Sequence, residues 1–398
     1  MTSPLAAMDT PPCFEVESSD AVEPSPPPLE LAESQRTYVQ SLSEMQKEAI
    51  VSNSRTSTVW RLASDEGPYL GGADVAPPPL AYFATGMVSS YMHRLHALAD
   101  ERGIDVDDVE LVLDNRYGLQ GSLLRGTMTG NALKPSLDVS LQADADEGTV
   151  RELVEAAITS TPAHGLLTGE RDSLFSLSHN GREIEPDGVA ELDGSPDTDP
   201  KATFAKLGRP HHEQEAPIIR HTGRMTEPLP EGSERYTEKD AAGFADEQDR
   251  IIHVRATCTK RSDGIKQVRQ ELFSPRGTVF EFASDEPDEH GGPTRAPPAT
   301  TYLAAGIGFC FMTQIGRYAE AMNADLSDYR ICQDSHLSSS DPETTESGAA
   351  KPIETQVFID ADEHEDVVRE TLDMSEQTCF LHSVCRTDLT QEYGVEQL

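Results

Sequence analysis

Six cysteines, Cys13, Cys258, Cys310, Cys332, Cys379 and Cys385, are the residues of this chain best suited to do chemistry. A thiolate is a nucleophile, a metal ligand and a redox centre. None of the six stands in a C-x-x-C pair, and the closest two, Cys379 and Cys385, are too far apart for a zinc knuckle. The sequence opens without a basic segment leading into an apolar run, so no secretory signal is read there. A reducing cytoplasm is therefore expected, and a disulfide framework is not. The default role of each cysteine is a buried, inert thiol. Two rise above that default: Cys310 lies inside an apolar, helix-like segment (LAAGIGFCF), and Cys379 ends a second one (MSEQTCFLH), with His382 three residues on. No metal site is expected. His211-His212 lies in a polar stretch, and adjacent side chains there point apart without partners.

The elements that position the two thiols are legible from a repeat. VWRLASDEGPYLGGADVAPPPLAYFATG, from Val59, aligns with VFEFASDEPDEHGGPTRAPPATTYLAAG, from Val279, at an offset of 220. Of the 50 aligned positions to Asp108 and Asp328, 17 are identical, far above chance. A second block, KPSLDVSLQADADEGTVREL from Lys134, matches KPIETQVFIDADEHEDVVRET from Lys351. A period this long signals duplicated domains rather than a solenoid. Each copy reads as a strand, an acidic turn, Gly-Gly, Pro-Pro, and then a long apolar helix, over about 80–101 and 300–323. Two strands follow, and then a second helix from near Asp146 and Glu365. In the first copy Val150, Leu153, Val154, Ala157 and Ile158 keep helical spacing. In the second, Val368, Leu372, Ser375 and Cys379 share one face. SLFSLSHNGREIE reads as a hairpin turning at Asn180-Gly181. Two thiols on two core helices that face each other can come together, and the first copy has Ser90 and Thr161 at the matching places.

Composition narrows the partners. With 32 basic and 70 acidic residues the net charge is −38, which excludes nucleic-acid binding by bulk electrostatics and opposes approach to anionic lipid. Each apolar run, near 80–92 and 299–315, is too short or too polar to read as a membrane span. A spread acidic surface with little Lys suits high salt. Four regions are expected: a disordered acidic, Pro-rich tail at 1–35, a first module at 36–190, a polar linker or insertion at 191–245, and a second module at 246–398. The expected class is α+β, with two central helices against curved antiparallel sheet.

With these motifs in hand, the chain resembles the OsmC/Ohr family of osmotically induced and organic-hydroperoxide-resistance proteins. The resemblance rests on the Gly-Gly turn, the proline-led helix running Ala-Ala-Gly-x-x-x-Cys from Ala304 to Cys310, and the later helix reaching Cys379. It covers about 36–190 and 246–398, and the DEP…GG…PP wording from Asp285 is nearest the less characterised OsmC-like branch. Thr161-Pro162 looks like that family's Cys-Pro step with its Cys replaced. The resemblance implies an intramolecular pseudo-dimer of two tandem modules, with central helices flanked by antiparallel sheets. It implies a peroxidatic Cys310, a resolving Cys379, an organic hydroperoxide substrate, an external dithiol reductant and no bound cofactor. The family activates its thiol with an Arg held by a Glu at the start of the core helix. Here that Glu position is Thr300, or Leu80 in the first copy. Arg269 is the preferred Arg, with Arg61 and Arg295 as the other choices. The second expectation is a non-enzymatic protein that binds a small apolar ligand or a partner at the cleft between the copies. His382 and its counterpart His164 are assigned a shared structural role. Whether two chains associate further is open.

Overall fold

The computed structural model describes residues 4–8, 10–16, 24–43, 45–56, 58–194, 197–207, 216–225, 248–274, 276–288, 291–341 and 347–398. His211-His212 lies outside them. The chain begins with α1 (Pro4–Met8), β1 (Cys13–Val16) and the meander β2 (Glu33–Ser43), β3 (Gln46–Asn53) and β4 (Val59–Ser64). Next come α2 (Pro79–Arg102), β5 (Val106–Gly121), β6 (Thr129–Ala132), β7 (Ser136–Ala143), α3 (Glu147–Thr159), α4 (Pro162–Leu167), β8 (Leu174–His179) and β9 (Arg182–Ile184). After β10 (Ala190–Glu191), α5 (Lys201–Phe204) and β11 (Ile219–Arg224), the order recurs: β12 (Gln248–Lys260), β13 (Lys266–Ser274), β14 (Thr278–Ser284), α6 (Ala299–Met322), β15 (Leu326–Ser338), β16 (Ala349–Ala350), β17 (Glu354–Ala361), α7 (Glu365–Thr378), α8 (Phe380–Arg386) and β18 (Glu392–Gln397).

Local chemistry explains the helices. Pro78 and Pro298 lead α2 and α6 with extended backbone, and each helix ends on a left-handed residue, Gly103 (φ 65°) and Asn323 (φ 54°). Both are buried almost all round, as their apolar sequence requires. Asp146 caps α3 by accepting from the amides of Gly148 and Thr149. The five apolar positions expected to face the core from α3 are its buried ones. The β8–β9 turn has Asn180 and Gly181 both at positive φ, the geometry its Asn-Gly sequence favours.

The described strands form two sheets, and each takes strands from both halves of the chain. One runs β1-β4-β3-β2-β15-β17-β8-β10, and the other β11-β14-β13-β12-β5-β7-β18. β2 pairs with β15 (Gln35↔Ser335), and β5 pairs with β12 in the same antiparallel manner (Asn115↔Val254). The expected boundaries at 190 and 246 therefore do not separate two sheets. α6 packs on β2, β3 and β15, α2 packs on β5, β12 and β13, and α2 and α6 pack on each other. The result is a sheet–helix–helix–sheet stack with the core between. At the helix crossing, a Cβ on Gly86 would lie 2.7 Å from the Ala299 carbonyl oxygen, and one on Gly306 2.8 Å from the Phe83 amide nitrogen. The rings of Tyr82 and Tyr302, one repeat apart, meet at 6.2 Å. Their hydroxyls donate to equivalent carbonyls, Ala63 and Ala283.

Three expectations are corrected. The sheets are mixed rather than antiparallel: β8 runs parallel to β17, β18 to β7, and β10 to β8. β8 and β18 enter after helix pairs, so no hairpin constrains their direction. The tail is not structureless throughout. Cys13–Val16 pairs antiparallel with β4, and Leu5, Cys13 and Phe14 are buried, so a few apolar residues outweigh the polar average. The stretch at 191–245 contributes β11, which pairs with β14, and α5, which buries Phe204. Among the described residues no helix is long and apolar enough to cross a membrane.

Candidate active site

The fold brings Cys310 and Cys379 together. Cys310 sits mid-way along α6, and Cys379 occupies the joint between α7 and α8, where its backbone leaves helical geometry (ψ 118°). Their thiols lie close enough to act directly on each other, and the amide of Leu381 approaches Cys310 as well. Both thiols are free and fully buried. β6 holds the joint from the other half of the chain. Gln377 Nε2 donates to the Met128 carbonyl at 2.8 Å, the Ala132 amide donates to Ser383 Oγ at 3.0 Å, and Gly130 passes so close to Thr378 that a Cβ would collide with it.

Cys310 opens onto a small cavity of about 30 Å³. Thr313, Gln314 and Arg317 line it from one face of α6 at i+3, i+4 and i+7 from Cys310. Glu66, Tyr69 and Leu70 enter from the segment joining β4 to α2, and Leu80 from the first turn of α2. Arg250 and Ile252 of β12, Leu272 of β13 and Phe380 of α8 also line it. The Glu66 carboxylate accepts from Tyr69 Oη at 2.5 Å and from Thr313 Oγ1 at 3.1 Å. Burial pushes its carboxyl up, and Lys47 opposes that shift. Lys47 is itself buried beneath the site, which lowers its ammonium pKa against the pull of Glu66, Asp65 and Cys310. Burial brings Arg317 down to about 9, helped by Arg250 and opposed by Glu66. The site thus joins two thiols, a carboxyl, a phenol and buried cations. Burial foremost, and then Cys379, holds the Cys310 thiol well above its ordinary value.

Arg269 lies elsewhere. Its side chain is 43% exposed and donates to Glu271 Oε1 from Nε at 3.2 Å and Nη2 at 2.9 Å. Its neighbour Gln270, which faces inward, bonds Thr85 in the core, so strand alternation turns Arg269 outward. Arg269, the arginine expected beside Cys310, is therefore not in the cavity wall, where Arg317 and Arg250 stand. Arg295 is exposed and paired with Asp285, and Arg61 is buried against Glu48. Thr300 hydrogen-bonds Glu33 and Asn53 about ten residues along α6 from Cys310. Leu80, its counterpart from the first copy, reaches the thiol cavity instead, where Glu66 supplies the carboxylate. Glu66 was signalled by the repeated Ser-Asp-Glu at 64–66 and 284–286, and Arg317 by helical spacing from Cys310. Arg250 had no such signal.

The remaining candidates have structural surroundings. His382 is buried between Phe311 (rings stacked, 5.0 Å) and Phe175 (5.4 Å), and burial foremost, then Arg386, lowers it to about 3. Burial also lowers His164. Thr161 spends its hydroxyl on α4, accepting from the His164 amide at 3.2 Å. Cys385 lies close enough to Cys379 to feel its charge, and burial raises it to about 12, as it does Cys258. Burial raises Cys13 and Cys332 as well.

Residues 291–392, which include α6, both thiols and the β15–β17 pair, match the family model OsmC, described as OsmC-like protein. This segment is OsmC-like. A solved structure of an OsmC-like hydroperoxide resistance protein from Jannaschia sp. is 18% identical to the chain, covers 33% of it and 83% of its own length, and has a TM-score of 0.19. No curated protein matches the chain. The OsmC-like segment contributes Cys310, Thr313, Gln314, Arg317 and Phe380 to the cavity, and the rest of the lining comes from residues outside it.

Proposed function

We propose that this chain is a thiol-dependent peroxidase acting through Cys310 and Cys379. The observation that carries the reading is the contact between these thiols, which lie 69 positions apart, beside a cavity that holds buried cations. Cys310, as thiolate, attacks the outer oxygen of a hydroperoxide. The O–O bond breaks, the alcohol leaves with a proton, and Cys310 becomes a sulfenic acid. Cys379 attacks that sulfur, water departs, and a Cys310–Cys379 disulfide forms. An external dithiol returns both thiols and is itself oxidised to a disulfide. Arg317 and Arg250 supply the positive charge that a thiolate and a leaving alkoxide need, and Glu66 lines the same cavity. Leu70, Leu80, Ile252, Leu272 and Phe380 suit an alkyl group. At about 30 Å³ the cavity holds little more than a water, so the 66–80 segment must move outward to admit one.

The same reading takes the chain as two tandem OsmC-like modules that form a pseudo-dimer within one polypeptide, only the second of which keeps its thiols. The reciprocal contacts of Gly86 and Gly306, the Tyr82–Tyr302 pair and the exchanged sheets support it, because a two-fold axis makes residue i meet j wherever the copy of i meets the copy of j. A cytoplasmic setting supplies the dithiol.

The raised Cys310 thiol favours a second reading, in which the cavity binds a small apolar ligand or a partner and the thiols are inert. One experiment separates the two. The chain is mixed with an alkyl hydroperoxide and dithiothreitol, and peroxide loss is followed beside Cys310→Ser and Cys379→Ser. Consumption that falls by about a thousandfold or more in Cys310→Ser, with a Cys310–Cys379 disulfide found by mass spectrometry after peroxide treatment, supports the peroxidase. Wild-type turnover at the uncatalysed rate, or equal turnover in Cys310→Ser, ends it.

A further inference from the structure

A second cluster shares no residue with the thiol cavity. β15 and β17 pair with Asp334 opposite Glu354, and alternate residues of a strand share a face, so His336 and Glu354 stand on the same side of the sheet. Glu30 joins them from the segment leading into β2, whose first residue, Glu33, pairs with Leu337. The Ser34 hydroxyl, donating to the Pro27 carbonyl at 2.7 Å, pins that segment. One ring nitrogen of His336 and one carboxylate oxygen each of Glu30 and Glu354 all lie within 4.8 Å of one another. The three residues line a cavity of about 240 Å³.

The cluster is incomplete as it stands. His336 is 2% exposed, and its Nδ1 is buried without a hydrogen-bond partner among the described residues. Buried polar atoms are nearly always satisfied, so such an orphan needs a reason. The nearby guanidinium of Arg36 is already engaged by Asp334 (2.6 Å) and Asp197 (2.8 Å). Lys351 reaches only Glu30, at 3.6 Å, and both are half-exposed. An imidazole and two carboxylates held this close lack one thing, a positive charge able to take nitrogen and oxygen ligands together.

We propose that Glu30, His336 and Glu354 bind a divalent first-row transition ion, with zinc the best match. One imidazole nitrogen with two carboxylate oxygens suits zinc, whereas calcium and magnesium favour all-oxygen shells. Three protein ligands leave a tetrahedral ion one position, and the adjoining cavity, with Arg36, Ser176 and Gln356 in its wall, is where a water or a small anion completes it. The ion ties the segment before β2 to the sheet and stabilises the folded chain by mass action.

The test titrates the metal-stripped full chain with zinc chloride by calorimetry and with cobalt chloride by visible absorption. The expected result is one equivalent of ion, with cobalt d–d bands and no thiolate charge-transfer band. Glu30→Gln changes an exposed residue and should leave the circular dichroism spectrum intact while weakening binding by about tenfold or more, the loss that even an outer-shell partner causes. His336→Ala and Glu354→Gln should weaken it at least as much. Absence of binding, a thiolate charge-transfer band at the first equivalent, or unchanged affinity in a folded Glu30→Gln variant each overturns the site.

Discussion

Cys310 rests beside Cys379 in surroundings that oppose ionisation of Cys310, and Arg317 and Arg250 line the cavity onto which it opens. A redox cycle there needs a rearrangement that brings Arg317 or Arg250 onto Cys310, and the same outward movement of the 66–80 segment would admit a substrate. His382 makes a separate residue-scale prediction. Its folded pKa, about 3, is below the ordinary imidazole value of about 6.5. The unfolded chain therefore binds this proton first. Above about pH 6.5 the residue adds no pH dependence, and as pH falls from there towards 3 it removes up to about 1.4 kcal/mol of stability per pH unit. In His382→Phe, which keeps the ring between Phe175 and Phe311, urea unfolding should show an acid loss shallower by close to one proton in that window. Parallel profiles for variant and wild type would contradict the neutral, buried assignment.

At the scale of elements, the crossing of α2 and α6 rests on two glycines. Alanine at Gly86 or Gly306 puts a methyl group against backbone of the opposite helix, which side-chain rotation cannot relieve. Each substitution should cost about 1–3 kcal/mol in denaturant unfolding, and a neutral result at both would mean that the helices stand further apart. These helices were plain in the sequence because the repeat, the prolines and the apolar runs agree, and their ends fall within about a residue of expectation. The thiol pair was plain for the same reason: both cysteines lie on core segments whose copies lack them. What escaped was set by tertiary contact. Arg269 was chosen by chain distance, which says nothing about the face of β13 it occupies. Arg250 reaches the cavity because β12 pairs with β5 from the other half, and the parallel pairing of β8 with β17 leaves no local turn signal. Cys13, inside the stretch expected to be a disordered tail, lies on a strand at a sheet edge.

At the scale of the molecule, a net charge of −38 means that the folded state repels itself, and counter-ions relieve this. Raising KCl from about 0.1 M to about 2 M should therefore raise the thermal midpoint by several degrees, since exposed charges are screened over a few ångströms at high salt. A midpoint that falls or stays level would show that the acidic surface is not the limiting term. Arg330, 1% exposed and held by Asp199, Asp328 and Asp360, should be little affected, because buried pairs are poorly screened.

The interleaving of the sheets has a consequence for how the chain is made. β2 finds its neighbour in β15, and the Arg36–Asp334 contact across that seam joins residues 298 positions apart. While the ribosome works through the intervening stretch, the β2–β4 meander waits with one edge bare, the condition that invites pairing with other nascent chains. Slow assembly and a need for chaperone shelter during synthesis follow from the topology alone.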